Sequence, residues 1–348
     1  MFLRNAWYAA AWDREVGRTL LPVRILGERL VLYRTERGEP VALEDACAHR
    51  KLPLSMGRLL GDQVECGYHG LVYDSEGRCT HIPGTERIPP AARVRCYPVV
   101  SRYGLVWIWL GDREKARHDA ILSVDHWEQA GWGRNEGGTM TVDCNYLYIT
   151  DNLLDPSHVA WVHRTSFGNE GYEDVPVHST VSEEAVIAAR WIYNVEVAPF
   201  YAQFVRFSGG CDRLQHYEVR FPSHAIIRAV FVPAGTGGPD RPFHGDALLM
   251  DSYNLMTPID ENHTRYFWFQ MRNFFPQDDF VSRALDEGVR AAFEEDRAIL
   301  AAVHLGFADT NTPHIDLAID RAPLQFRRRL RRLIATEQSA ATAESERS

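Results

Sequence analysis

Short apolar runs separated by turn residues dominate roughly the first 110 positions. Positions 23–26, 29–33 and 40–43 read as strands, with Glu36, Arg37, Gly38 and Glu39 forming a hairpin turn between two of them. Positions 71–73 read as a further strand, followed by a turn at 74–77, and 93–100 and 105–110 complete an all-β pattern. A charged stretch at 112–119 then marks a domain boundary near 115. The second part is mixed. Positions 139–149 alternate like a strand, and 151–163 have helical character interrupted by Pro156. Strand patterns recur at 179–195, 213–221, 225–232, 247–256 and 265–271, with a Gly/Pro-rich loop at 233–242 and a turn at 258–262. A long amphipathic helix is expected over 280–303.

The length of 348 residues suits about two domains. The pattern divides them as 1–115 and 116–335, and leaves 336–348, rich in Ala, Ser, Thr and Glu, as a disordered tail. The net charge of -9 argues against a general nucleic-acid binder. No apolar run approaches the ~18 residues of a membrane span, and the first residues lack the layout of a signal peptide, so a cytoplasmic location is expected. A reducing compartment makes disulfides an unattractive use for the six cysteines.

Two of those cysteines stand beside histidines. Cys47-x-His49 and Cys66-x-x-His69 each offer one thiolate and one imidazole, with Gly57, Gly61, Gly67 and Gly70 around them. A tetrahedral zinc site is one use of such a set, although zinc fingers favour Cys-x-x-Cys. The other is a Rieske [2Fe-2S] centre, in which the cysteines hold one iron and the histidines the other. Cys79, Cys96, Cys144 and Cys211 have no partner at motif spacing and read as packed thiols.

A second constellation lies in the other half. His158 and His163 are five apart, which on an ideal helix sets them about 140° apart, so shared ligation needs a distorted helix. On the long helix, apolar positions recur at Leu285, Val289, Ala292, Phe293, Ile299, Leu300 and Val303, and Asp296 falls in that stripe, while Glu294, Glu295 and Arg297 fall outside it. A carboxylate on a buried face needs a cation. An arginine would serve; so would a metal, since two His and one carboxylate form the facial triad of non-haem iron(II) oxygenases.

With these motifs in place, the chain resembles the Rieske non-haem iron aromatic oxygenases over positions 2–337. Cys47-x-His49, Cys66-x-x-His69 and the following Gly70-Leu71-Val72-Tyr73 look like the family's cluster motif. Asn152, Asp155, His158 and His163 match its mononuclear iron motif, and Phe293, Glu294, Glu295 and Asp296 match the segment that supplies the carboxylate. Arg4-Asn5-Ala6-Trp7-Tyr8, Ile82-Pro83-Gly84 and positions 102–109 look like the branch of vanillate O-demethylase, toluenesulfonate methyl-monooxygenase and dicamba O-demethylase oxygenase subunits.

That resemblance implies an α+β protein: an N-terminal all-β Rieske domain and a C-terminal helix-grip (START-like) catalytic domain. It implies Cys47, His49, Cys66 and His69 as cluster ligands, and His158, His163 and Asp296 as mononuclear iron ligands. It implies catalytic roles for Asp155 and Asn152. Asp155 carries the electron path between His69 of one subunit and an iron-ligating histidine of the next, in a ring-shaped homotrimer. The implied activity is that of a monooxygenase's terminal oxygenase component. It uses dioxygen, and electrons from NADH through a flavin and iron–sulfur reductase or a ferredoxin, to attack a methoxy or methyl group of an aromatic acid. O-demethylation releasing formaldehyde is the leading expectation. Methyl hydroxylation of an aryl sulfonate and ring hydroxylation are alternatives, and a pure Rieske electron-transfer protein is the non-enzyme alternative.

Substrate residues form no clear motif. Arg228, His216 and Arg206 lie in strand-like surroundings and either bind an anionic aromatic acid or face solvent. Arg228 is the leading candidate, since Ile226, Ile227, Ala229 and Val230 flank it. Tyr146, Trp161, Trp191, Tyr193 and Phe200 either line a pocket or fill the core. Arg50, Lys51 and Arg58 either steer a reductase or are a solvated loop, and 327–332 reads as a solvated basic helix face.

Overall fold

A computed structural model describes residues 1–345 except Glu170 and His244, with side chains through Thr342. The chain forms two compact units. One holds Met1–Leu122, joined by Thr257–Glu261 and the C-terminal segment from Ile334; the other holds Ser123–Met256 and Asn262–Leu333. The boundary expected near 115 thus lies at Leu122, and two short segments return to the first unit. No helix among the described residues is long and apolar enough to cross a membrane.

The first unit is built from three small sheets. Trp7–Trp12 pairs with Leu105–Trp109, which pairs with Val99–Arg102. Leu21–Ile25, Glu28–Arg34, Pro40–Glu44 and Cys96–Tyr97 make a second sheet; Arg58–Leu60, Gln63–Glu65, Val72–Tyr73 and Cys79–His81 make a third. The expected turn at 36–39 is there, with Gly38 at φ +85°, a conformation that costs glycine little. One core cluster unites the last two sheets through Val31, Tyr33, Leu43, Val64 and Tyr73, and Cys47 and Cys66 are buried in it.

In the second unit the strands are β1 (Gly138–Val142), β2 (His178–Val181), β3 (Ala185–Val195), β4 (Cys211–Arg220), β5 (His224–Pro233), β6 (Leu248–Pro258) and β7 (Thr264–Arg272), with a two-residue strand, Gly133–Arg134, paired to Arg272 and Met271 of β7. They form one sheet in the order β7-β6-β5-β4-β3-β2, with β1 also on β7. Register places Gln215 beside Ala229 and Ala229 beside Met250; the next rung is Tyr217, Ile227 and Ser252. Side chains alternate across a sheet, so these rungs share one face.

Four helices position the site: α1 (Tyr146–Asn152), α2 (Val159–Val162), α3 (Asp279–Asp309) and α4 (Arg321–Ser345). Asp278 caps α3 by accepting from Phe280 N and Val281 N at 2.8 and 3.1 Å. Its buried positions are Val281, Leu285, Val289, Ala292, Asp296 and Leu300, spaced by three or four. Asp296 is thus in the buried stripe as the pattern requires, but Ile299 and Val303 are exposed.

Three expectations need correction. The strand over 139–149 ends at Val142, because the Asn145 side chain accepts from Leu147 N at 3.1 Å and starts α1. The tail from 336 is helical through Ser345. Alanine and glutamate suit a helix as well as a disordered chain, and Glu337 accepts the backbone N–H groups of Arg4 and Asn5 at 2.8 and 2.5 Å; positions 346–348 lie outside the described residues. Arg327, read as solvated, makes a two-pronged ion pair with Asp151, at 2.9 and 2.8 Å from Nε.

Candidate metal centres and substrate cavity

The two Cys-His loops are built alike. Cys47 N donates to Leu52 O and Lys51 N returns to Cys47 O; Cys66 N donates to Leu71 O and Gly70 N returns to Cys66 O. Lys51 and Gly70, four past each cysteine, share positive φ of 60° and 72°. Packing is tight between the loops, since a Cβ on Gly57 would stand 2.0 Å from Glu65 O. The result is two buried sulfurs and two exposed imidazoles whose ring centres are 4.6 Å apart. Sulfur inside and nitrogen at the surface fits a Rieske cluster, in which two thiolates hold one iron and two imidazoles the other.

Tyr73 completes this arrangement. Its hydroxyl accepts Ala48 N–H at 3.1 Å, so its own proton is directed to Cys47 Sγ, 3.2 Å away. Burial holds the phenol pKa well above its usual value, so it remains a donor. A hydrogen bond to a ligating sulfur tunes a cluster's potential. The other thiols behave as packed groups. Burial pushes those of Cys79 and Cys96 up, Cys144 up to about 12 and Cys211 to about 11.

The second set converges from α3 and from the α1–α2 segment. Pro156 and the turn between the helices bring His158 and His163 round, with ring centres 5.4 Å apart. His163 Nε2 lies 3.2 Å from the Asp296 carboxylate and His158 Nε2 lies 3.9 Å from it. One ligand atom from each of the three lies within 4.8 Å of the others. His158 Nδ1 is hydrogen-bonded to the carbonyl of Asp155. A carbonyl only accepts, so the proton sits on Nδ1 and Nε2 presents a lone pair. His163 Nδ1 meets Glu295 Oε2 at 2.7 Å, with the same effect, and Asn152 Nδ2 donates to Asp296 Oδ1 at 3.2 Å. Outer partners of this kind orient metal-binding histidines.

Electrostatics agree with a cation between these groups. Burial lowers the pKa of His158 and also opposes charge on His163, but the Asp296 and Glu295 carboxylates outweigh it there and raise the His163 pKa. A divalent ion would displace that proton and meet two neutral nitrogens and one carboxylate. No arginine pairs with Asp296 among the described residues; its neighbours are His158, His163 and Asn152.

Residues 6–98 match the Rieske [2Fe-2S] domain, and residues 142–336 match the vanillate O-demethylase oxygenase C-terminal domain. The chain belongs to the Rieske non-haem iron oxygenases. It is 37% identical to the iron–sulfur subunit of a toluene-4-sulfonate monooxygenase system from Comamonas testosteroni, over 97% of this chain and 98% of that one. It is 34% identical to a vanillate O-demethylase oxygenase subunit from a Pseudomonas strain, over 99% and 98%. Dicamba monooxygenase bound to 3,6-dichlorosalicylic acid superposes with a TM-score of 0.89 at 30% identity, covering 98% of this chain and 99% of the other. The protein is therefore the oxygenase component of a Rieske monooxygenase, with a Rieske cluster, non-haem iron and dioxygen as its chemistry.

The oxygenase domain holds a cavity lined by His158, His163 and Asp296 at one side. Its volume is about 80 Å³. The sheet contributes Arg213, Gln215, Tyr217, Ala229 and Met250, and α3 contributes Val289, Ala292 and Phe293. The three substrate candidates fare differently. Arg228 borders the cavity, but its guanidinium is engaged by Asp125 and lies 3.7 Å from Asp251. His216 is not in the lining and meets Glu218 at 3.3 Å. Arg206 lies in a loop, exposed, over the Phe275 ring. The aromatic walls are Phe167, Tyr201, Tyr217 and Phe293; Tyr146 and Phe200 pack inside, while Trp161 and Tyr193 are exposed. Arg50, Lys51 and Arg58 are all exposed beside the cluster loops, and Arg58 is paired with Glu65.

Glu295 was outside the apolar stripe and carried no signal except its position beside Asp296. Replacing it with alanine is expected to weaken mononuclear iron binding by roughly 10–100-fold. Titration of iron(II) into the metal-stripped enzyme measures this; unchanged affinity would show that the His163 contact orients nothing.

Proposed function

We propose that this oxygenase removes the methyl group of a methoxy-bearing aromatic acid by hydroxylating it. The carrying observation is the cavity: apolar and aromatic walls meet the His158, His163 and Asp296 cluster within one pocket. His158, His163 and Asp296 would hold the mononuclear iron, and Cys47, His49, Cys66 and His69 the [2Fe-2S] cluster. Iron held there would supply dioxygen activation. The chain's own residues do the rest. Asn152 and Glu295 fix the ligand side chains, and the Asp155 carbonyl holds the His158 proton on Nδ1. The walls of Phe167, Val289 and Phe293 shield the reacting carbon from water. A hydroxylated methoxy group is a hemiacetal, which collapses to a phenol and formaldehyde.

Electrons would arrive from NADH through a flavin and iron–sulfur reductase or a ferredoxin that docks where His49, Tyr68 and His69 are exposed. Arg50 and Lys51 would favour an acidic partner surface. The route onward would run from His69 of one copy through Asp155 of the next, in a homotrimer. Trp161, 69% exposed between the two histidines, supports a protein surface there. A second reading, methyl hydroxylation of an aryl sulfonate, is favoured by the 37% identity to the toluene-4-sulfonate system.

The test is a panel of methoxy-, methyl- and sulfonate-bearing aromatics with reductase and NADH. Formaldehyde equal to the oxygen consumed is expected from a methoxybenzoate. A benzylic alcohol from 4-toluenesulfonate, without demethylation, moves the assignment to the second reading. Oxygen uptake indifferent to every aromatic would refute both.

A further inference from the structure

We infer that Arg213 receives the acidic group of the substrate, with Gln215 as a second donor. This rests on the aromatic monooxygenase reading and deepens it. Arg213 is 2% exposed and lines the same cavity as His158, His163 and Asp296. Its Nε and Nη1 have no hydrogen-bond partner among the described residues, and neither has Gln215 Nε2. The Gln215 amide is oriented by its oxygen, which accepts from Arg190 Nε at 2.7 Å, so its nitrogen is the atom left over. Gln215 and Arg213 are two apart on β4 and so share a face.

The hydrogen-bond balance points the same way. The other buried arginines are better supplied: Arg190 donates to Gln215 and to three backbone carbonyls, and Arg272 donates to three backbone carbonyls and Ser282, with Nη1 left over; the half-buried Arg228 meets Asp125 and Asp251. Arg213 instead faces the rings of Tyr172, Tyr201 and Phe231, with its guanidinium carbon 5.3, 5.8 and 5.0 Å from their centres. Ring faces compensate a buried cation only partly. A water molecule would satisfy the donors but would bring no charge. All three orphaned atoms are donors, so the missing group supplies acceptors. A guanidinium fork fits a carboxylate or sulfonate through two parallel hydrogen bonds. The acid would therefore lie against β4, and the methyl-bearing end would turn to the His158, His163 and Asp296 side.

Binding measured by calorimetry tests this on the metal-loaded protein. The probes are 4-methoxybenzoate and 4-toluenesulfonate, each paired with an uncharged counterpart, 4-methoxybenzyl alcohol and 4-toluenesulfonamide. The wild type is expected to prefer the acids. Arg213→Gln should lower the acid-to-neutral affinity ratio by about 100-fold, the scale set by removing one partner of a buried charge pair. Arg213→Lys should restore part of it. Gln215→Glu keeps the acceptor for Arg190 but turns the free donor into an anion, and should lower the ratio as well if the Arg213 variants do not fold. A wild type with no preference for acids, or a ratio unchanged in the folded variants, overturns the assignment. Acid binding that depends on Arg213 without oxygen-dependent turnover would uphold the assignment and sink the monooxygenase substrate reading; turnover of neutral arenes with an unchanged ratio would do the reverse.

Discussion

Asp296→Ala is expected to abolish mononuclear iron and lower turnover by more than about 1,000-fold, well beyond the ~10–100-fold that loss of an outer hydrogen bond costs. Among the described residues Asp296 is the one carboxylate within reach of both histidine Nε2 atoms, and it is 6% exposed on a helix face that is otherwise apolar. Without it, two imidazoles remain with no carboxylate ligand between them, a poor site for a dication. The variant should still fold, because alanine suits a helix interior and the removed carboxylate was a cost of burial rather than a packing element. The [2Fe-2S] signal should persist, since Cys47, His49, Cys66 and His69 lie in the other unit. Metal analysis with electron paramagnetic resonance separates the two centres. Loss of the cluster signal in this variant would show that the ligands have been divided wrongly between the sites.

How far these sites could be read from sequence depends on how local their logic is. The cluster loops were legible because each Cys-His finger spans a few residues and the glycines between them are part of the same geometry. Asp296 was legible because helical periodicity fixes which face a residue occupies, and a carboxylate stands out in an apolar stripe. The sheet wall was not. On β4 polar residues occupy both faces: Arg213, Gln215 and Tyr217 border the cavity, while His216 and Glu218 alternate with them along the strand. Alternation alone does not say which face is the inside. Arg228 drew attention through its apolar flanks, yet its partner Asp125 is 103 positions away in the chain. Arg206, strand-like in its sequence surroundings, belongs to a loop. The charge that matters in a pocket is the one left unmatched, and matching is settled by contacts distant in sequence. The same holds for Arg327, whose pairing with Asp151 spans 176 positions.

Asp155→Asn should leave both metal centres intact and still slow turnover by about 100-fold or more, the kind of loss an isosteric carboxylate-to-amide change produces where charge and proton position matter. Asp155 touches the iron site only through its backbone carbonyl, which receives His158 Nδ1–H. That bond survives any side-chain change, so the His158 tautomer and iron affinity should be preserved. The carboxylate itself accepts Ser157 N at 2.8 Å and the Ser157 hydroxyl through the same oxygen, Oδ1. Asparagine can accept both through its own oxygen, so the turn should hold as well. What changes is the other oxygen, which becomes an NH₂ donor, and the charge, which is lost. Neither matters to a residue that only shapes the turn. Both matter if that oxygen accepts the N–H of His69 from a neighbouring copy and carries the electron path. Rapid mixing of the reduced enzyme with substrate and oxygen reads the step directly: cluster reoxidation should slow in proportion to turnover while iron content and substrate affinity stay at wild-type values. Wild-type reoxidation would place the path elsewhere, and loss of iron would mean that Asp155 acts through His158 alone.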